Sequence, residues 1–465
     1  MSNFKFQVGR LPKIEVLFEV VIFDIFSCNM KKKSFRSRST IAVLSMFLLF
    51  ETYIFPEKET NQRSDVIPRK RRPVSSIFNE LGPLYTRRAY RMPENDFWFL
   101  CALLREHMGE PAFPPENSTK NHRNGAWNGI IRYTTRVSAA LRYMAGGSVY
   151  DIAVVHGISI TQVYDSVWTV VDAINKCEEL SFEFPTTHED QRKLAKGFQE
   201  LSDADFDTCV GATDGLLIWF EQPSSADCER AMCGPKKFFC GRKKKFGLNM
   251  MGTVDYLGRF LDVDIRHPGS TSDFLVFATS DLKEKLETHG FLANGLVLFG
   301  DNAYSNCSYM VTPYKSAQGS EDDFNFYQSQ VRIHVECAFG KLVHRWGILR
   351  RPISSGVGFE RTSSLVMALC RLHNFCINSN QEALLDPLAQ DEVNITLVSH
   401  LELSHSPENT HSPDGILHGG EHFDDIGQAQ MRTIRRRERE RENLIPRQRL
   451  HNMVLDKGLC RPSVH

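Results

Sequence analysis

Three acidic residues, Asp214, Asp301 and Glu336, sit in settings that could do chemistry on a phosphate ester, the last two thirty-five positions apart. Divalent ions such as Mg²⁺ are hard cations that prefer carboxylate oxygens. They take only a few from the protein, leaving the other positions to water and substrate phosphate. Three rigidly held carboxylates are therefore enough for metal-dependent cleavage of a phosphodiester, and the pattern suggests an enzyme that cuts DNA.

The elements that must hold these acids can be read locally. Asp214 follows the run Cys209-Val210-Gly211-Ala212-Thr213 and precedes Gly215, after which Leu216 to Phe220 reads as a second strand. This predicts an acid at a strand end beside a turn. Asp301 follows Leu296-Val297-Leu298-Phe299 and Gly300, a buried strand with an acidic tip. Glu336 falls inside a helix predicted over Tyr327 to Leu349, where Val331, Val335, Ala338, Phe339 and Leu342 recur at helical spacing. Taken singly, Asp-Gly and Asp-Asn pairs are ordinary turn formers and a helical Glu is ordinarily a wet face. Their joint setting points to a site.

Around the acids lie Gly211-Ala212-Thr213-Asp214-Gly215, Phe246-Gly247-Leu248-Asn249-Met250, His267-Pro268-Gly269-Ser270-Thr271-Ser272-Asp273, Gly300-Asp301-Asn302-Ala303-Tyr304, Val335-Glu336-Cys337-Ala338-Phe339-Gly340 and Leu372-His373-Asn374-Phe375. In this order they resemble the PIF/Harbinger transposases and Harbinger transposase-derived nucleases, from roughly Leu81 to Ile377. The resemblance implies an RNase H-like fold whose DDE triad maps onto Asp214, Asp301 and Glu336. It also implies a Mg²⁺ or Mn²⁺ cofactor, DNA as substrate and a separate Myb-like helper protein. Self-association into a homo-oligomer is a further expectation.

Other residues near the acids have competing roles. Arg332, one turn before Glu336, could steady a phosphate or pair with its helical neighbour. Asp273 reads first as a helix N-cap, with support of the site second. Asp255 is set aside, because Tyr256-Leu257-Gly258 reads as a hairpin turn at the far end of the strand from Asp214. Cys228, Cys233 and Cys240, with Cys209 or His267 as a fourth donor, lack the usual paired zinc spacing and read as free thiols.

The whole chain reads as α/β, with an RNase H-like nuclease domain over 201–377. An N-terminal helical helix-turn-helix domain is predicted over 81–200, and a partly disordered acidic tail with a terminal charged helix over 378–465. Residues 1–80 are unassigned apart from a basic linker. In the helical region, Asp151 to His156, then Gly157-Ile158-Ser159, then Ile160 to Val171 predict two helices around a glycine turn. In a DNA-binding unit of this kind the tip of the second helix, Thr161, Gln162 and Tyr164, would reach base edges. None of the three is basic, so phosphate attraction would fall to Arg132, Arg136 and Arg142, or to the run Arg242-Lys243-Lys244-Lys245.

Composition narrows the class. The chain has 465 residues, 42% of them apolar, and a formal net charge of zero, which excludes a uniformly basic DNA-coating protein but not local basic patches. Its 12 cysteines show no short-range disulfide framework, and reduced intracellular thiols are expected. The apolar run Ile41 to Phe50 meets Glu51 too soon to span a bilayer, so no membrane association is expected. Pro68-Arg69-Lys70-Arg71-Arg72-Pro73 lies in a segment, 57–80, that reads as an exposed linker. It suggests a nuclear address, with the cytoplasm as a second location. Two rival functions are a domesticated, non-cutting DNA-binding or regulatory protein and an RNA nuclease.

Overall fold

The computed structural model describes residues 69–109, 131–379 and 446–462. All of them fall in one compact unit, Pro68–His465, separate from the unit Met1–Ile67. The expectations for Ile41 to Phe50, for the acidic stretch 386–425 and for the terminal helix before 446 lie outside the described residues. Among the described residues no helix is long and apolar enough to cross a membrane.

β1, Cys209–Phe220, is the spine of a mixed sheet. It pairs antiparallel with β3, Lys245–Val254, which pairs antiparallel with β4, Phe260–Pro268. A two-residue strand, β2 (Phe239–Cys240), joins the start of β3. On its other side β1 pairs parallel with β5, Val297–Phe299, which pairs parallel with β6, Met310–Val311. The order is thus β4-β3-β1-β5-β6.

The register corrects one expectation. Asp214 and Gly215 do not turn the chain: β1 runs through them, paired without a break from Ala212 opposite Val254 to Phe220 opposite Phe246. An Asp-Gly pair turns only when no partner strand takes its hydrogen bonds onward, and β3 takes them here. The parallel partner β5 stops sooner, its last pair being Ala212 with Phe299. Asp214 and Asp301 each stand two residues beyond that last pair, at the same end of adjacent strands.

Helices cover both faces of the sheet. α6, His188–Glu200, leads into β1, and the strand connections carry α7 (Ser225–Arg230), α8 (Asp273–Ala278) and α9 (Asp281–Glu287). α8 and α9 are separated at Thr279-Ser280, where Ser280 caps α9 by accepting from Lys283 N. α10, Ser320–Arg345, carries Glu336, and α11, Phe359–Asn378, packs beside it. Val335, Ala338, Phe339 and Leu342 of α10 bury against Ala212, Ile218, Leu248 and Met250 of the sheet.

The helical region begins earlier than its composition suggests. α1, Val74–Tyr90, occupies part of the expected linker, because Val74, Ile77 and Phe78 bury one face of its first two turns. α2 (Glu94–Leu104), α3 (Tyr133–Met144), α4 (Val149–His156) and α5 (Ile160–Lys176) follow. Between α4 and α5 Gly157 adopts a left-handed backbone (φ 63°) and Ser159 caps α5 by accepting from Gln162 N. One apolar core joins Phe78, Tyr90, Leu141 and Val170 of these helices to Phe339, Trp346 and Leu369 of the sheet-covering elements. A final helix, α12 (Pro446–Asp456), inserts Leu450 and Val454 beside Phe324 and Val331 of α10.

Candidate active site

Alternation along a strand sends successive side chains to opposite faces. Asp214 points to the α10 face, where its carboxylate lies 3.6 Å from Arg332 Nη1 and its Oδ1 accepts from Gly215 N at 2.8 Å. Asp301 is held just past β5 by its own turn, Oδ1 accepting from Ala303 N at 2.8 Å. On α10 the polar stripe Gln328, Arg332, Glu336 repeats every fourth residue and faces these strand ends. Gln328 Nε2 donates to Gly300 O at 2.9 Å, pinning the residue before Asp301. Arg332 donates to Glu336 and so bridges it to Asp214.

The three predicted acids therefore surround one guanidinium. Burial, then the charge of Asp301, push the Asp214 carboxyl well above the ordinary carboxylate range, against the opposing pull of Arg332. Burial likewise raises Asp301, while the Ala303 N–H and Arg332 pull it down. Burial disfavours the charge on Arg332, but Glu336, Asp214 and Asp301 outweigh it and raise its pKa. Arg332 is thus shared by Asp214 and Glu336 as an ion-pair partner, and its charge also reaches Asp301.

A fourth acid joins from the opposite face. Asp273 begins α8, but the cap is Ser272, whose Oγ accepts from Leu275 N. Asp273 Oδ1 instead accepts from Asn249 Nδ2 at 2.7 Å and occupies the place a Gly215 side chain would take. Its charge raises the pKa of Asp301. Tyr304 OH is buried without a hydrogen-bond partner, and its pKa is raised first by burial and then by Asp214, Asp273 and Asp301. Carboxylate oxygens are the donors that hard divalent cations prefer, although Asp214, Asp301 and Glu336 do not all lie within 4.8 Å of one another.

The basic hairpin between β2 and β3 lies near this site. Lys243, Lys244 and Lys245 are exposed, and Lys245 Nζ sits 3.6 Å over the Trp219 ring. The neighbouring Arg242 is the member whose charge reaches Asp301 and lowers its pKa. That contribution was not legible from the basic run. Thr161 and Tyr164 are exposed and Gln162 is half-buried at the tip of α5, with Tyr164 stacked edge-on to Tyr143 of α3 at 6.0 Å. Their partners belong to the helical region.

The remaining motif residues are structural. Asp255 is fully buried and accepts from Leu257 N, Arg259 N and Arg259 Nε, closing the β3–β4 turn. Asn374 pairs with both N and O of Phe260, and His373 Nε2 donates to Gly258 O, so the Leu372 to Phe375 motif clamps α11 to β4. Cys209 is buried in β1 and His267 pairs with Thr279 Oγ1 at 3.1 Å, and among the described residues neither joins the 228–240 cysteines in a group of three donors at metal-ligand spacing.

A sequence profile of the DDE superfamily endonucleases matches residues 213–374, from the residue before Asp214 to Asn374. Over that span the chain resembles the DDE superfamily endonucleases. Its relatives include "Protein ALP1-like" of Arabidopsis thaliana, 24% identical over 321 residues that cover 65% of this chain and 73% of that protein. They also include "Putative nuclease HARBI1" of Homo sapiens and of Bos taurus, each 23% identical over 312 residues, 65% of this chain and 80% of the relative. No solved structure matches significantly. The matched span holds all three acids, Asp273 and Arg332.

Proposed function

We propose that this chain is a divalent-metal-dependent nuclease that cleaves phosphodiester bonds in DNA, with Asp214, Asp301 and Glu336 as the catalytic and metal-holding triad. The observation that carries the reading is the grouping of these acids, from the middle of β1, the loop after β5 and the face of α10, around Arg332. The family match and the nuclease names of the relatives support it. The strand order, three antiparallel strands continued by two parallel ones, supports the RNase H-like reading.

Mg²⁺ or Mn²⁺ bound there would activate a water or a DNA 3′ hydroxyl and stabilise the leaving oxygen. The chain's part is positioning. Asp214 lies within β1 just beyond its pairing with β5, Asp301 lies just past β5, and Gln328 and Asn249 hold the segments around Asp301 and Asp273, so little reorganisation is left for the reaction. Arg332, once released from Glu336, is placed to hold a neighbouring phosphate. Arg242 and Lys243 to Lys245 would draw the DNA backbone across the opening.

The α4–α5 pair is proposed as the sequence-reading unit, since Gly157, the Ser159 cap and exposed Thr161 and Tyr164 suit a recognition helix. With no base at that tip, a Myb-like helper and a second copy of the chain are proposed to add DNA affinity. Residues Arg69 to Arg72 are proposed to address the protein to the nucleus, with some in the cytoplasm.

One observation favours a non-cutting, regulatory reading: Arg332 already satisfies Asp214 and Glu336. The two readings separate in one assay, incubating DNA that bears candidate terminal inverted repeats with protein and Mg²⁺ or Mn²⁺, beside Asp214→Ala, Asp301→Ala and Glu336→Ala. Cutting by the unaltered protein alone supports the nuclease. Equal cutting by all four proteins defeats the triad, and binding without cutting supports the regulatory reading. Cutting of RNA in preference to DNA would reassign the substrate.

A further inference from the structure

Among the described residues, His107, Cys177 and Glu179 form the only group of three His, Cys, Asp or Glu side chains whose donor atoms all lie within 4.8 Å of one another; Asp214, Asp301 and Glu336 are not so close. The group is assembled from separate segments. His107 belongs to the single 3-10 turn Glu106–Met108 that follows α2, Cys177 directly follows α5, and Glu179 lies in the 3-10 turn Glu178–Leu180.

The thiol is fixed by the core. Cys177 has no exposed surface, its N donates to Ala173 O at 3.0 Å, and its carbonyl accepts from Arg371 Nη1 at 3.0 Å. Its Sγ donates to Glu179 Oε2 at 3.2 Å. Glu179 and His107 are exposed, so an ion would arrive from solvent and meet the thiol in the wall of the site.

The donor chemistry separates this group from the acidic cleft. One imidazole nitrogen, one sulfur and one carboxylate oxygen are the ligands of a borderline-soft ion, whereas all-oxygen sites suit Mg²⁺ and Mn²⁺. Ligands about 2.0–2.3 Å from a common tetrahedral ion lie roughly 3.5 Å apart, so side-chain rotations alone close the group.

We propose that His107, Cys177 and Glu179 form a second metal site, selective for Zn²⁺, that clips the turn after α2 to the end of α5 and keeps its fourth position open to water. Binding exchanges the Sγ–H bond of Cys177 for a metal–Sγ bond, and the proton leaves to solvent. The site is independent of the nuclease reading.

Co²⁺ replaces Zn²⁺ as a coloured probe, and a thiolate ligand gives it a charge-transfer absorption. The test titrates Co²⁺ into the full chain after chelation and dialysis. One equivalent is expected to give that band, and one equivalent of Zn²⁺ to remove it. The band should survive in an Asp214→Asn, Asp301→Asn, Glu336→Gln triple variant. It should weaken at least tenfold in apparent affinity in His107→Ala and in Glu179→Gln, whose side chains are exposed and leave the core intact. Cys177→Ser, checked for folding by circular dichroism, should abolish it. Absence of the band in the unaltered chain overturns the proposal. So does a band of unchanged affinity in both exposed variants, which would place the thiolate among Cys228, Cys233 and Cys240.

Discussion

At the scale of single residues the cleft is a problem in charge. Asp214 is half-buried beside Asp301, and Arg332 bridges it to Glu336. An ionised carboxylate in such a setting costs stability, and each pH unit by which its folded pKa exceeds the unfolded one is worth about 1.4 kcal/mol once ionised in both states. Asp214→Asn removes that charge at nearly constant volume. The melting temperature of the metal-free protein at pH 8 should therefore rise, while the further rise produced by Mg²⁺ or Mn²⁺ should shrink or disappear. A melting temperature that falls without metal and still climbs fully with it would contradict this account.

Arg332 is the complementary case. Arg332→Gln leaves three carboxylates around a neutral side chain, and loss of one member of a largely buried ion pair costs about 3 kcal/mol. The metal-free variant should melt lower, and saturating Mg²⁺ should restore most of the loss, because a divalent cation replaces the missing charge. Calorimetric scans with and without metal measure both effects. Equal destabilisation in the two conditions would mean that Arg332 acts through packing.

At the scale of elements, what matters is how two faces of one strand serve one site. β1 presents Asp214 to α10, while Gly215 leaves room on the other face for Asp273. Gly215→Ala places a methyl group where Asp273 Oδ1 sits, so either the strand or α8 must move. Overpacking of this kind costs about 1–3 kcal/mol. Denaturant unfolding should show that loss, and nuclease activity should fall by more than it does in Gly234→Ala, where a methyl group meets open space.

The helical elements carry a separate pH dependence. Ile152 O can only accept, so His156 Nδ1 carries the proton and its Nε2 accepts from Ser138 O–H, whose oxygen in turn accepts from Tyr90 O–H. This chain needs a neutral imidazole, and burial lowers the His156 pKa to about 4. Above the unfolded value of about 6.5 neither state binds the proton. Between about 6.5 and 4 the unfolded chain binds it and the folded chain does not, so stability falls as pH falls. His156 alone should account for about 2 kcal/mol between pH 7.5 and 5. Buried His373, lowered to about 3, works in the same sense. Urea unfolding at the two pH values, with His156→Gln beside the unaltered chain, isolates the first contribution as the difference in slope.

At the scale of the whole molecule, the helical region and the sheet share a core. Phe78, Tyr90, Leu141 and Val170 pack in one cluster with Phe339, Trp346 and Leu369. A fragment cut at 201–377 would expose that apolar surface and lose Leu450 and Val454 from the flank of α10. It should not unfold cooperatively, whereas residues 69–465 should do so in a single transition by circular dichroism and calorimetry. A fragment melting as sharply as the longer chain would show that the sheet is self-sufficient.

The elements that declared themselves in advance are those whose signal is local. The run Leu296 to Phe299 made β5 and put Asp301 at its tip, and the spacing of Val331, Val335, Ala338 and Leu342 put Glu336 on a helix face. Each follows from the periodicity of one segment. Asp214-Gly215 failed that approach, because the same dipeptide turns or extends according to whether β3 supplies partners, and β3 begins some thirty residues later. Val74 to Phe78 were lost in a basic, polar neighbourhood, although their helical spacing was visible.

The amino-acid sequence by itself determined the acids, their order and the motifs that carry the resemblance, because side-chain chemistry and short-range periodicity belong to the chain. Tertiary structure alone decided that Arg332, besides its helical neighbour Glu336, also reaches Asp214, that Asp273 enters through the space left at Gly215, and that His107 meets Cys177 and Glu179. Those contacts join segments far apart in the chain or on opposite faces of the sheet. Their energies arise from burial and from fields that cross space, and no local pattern of residues encodes them.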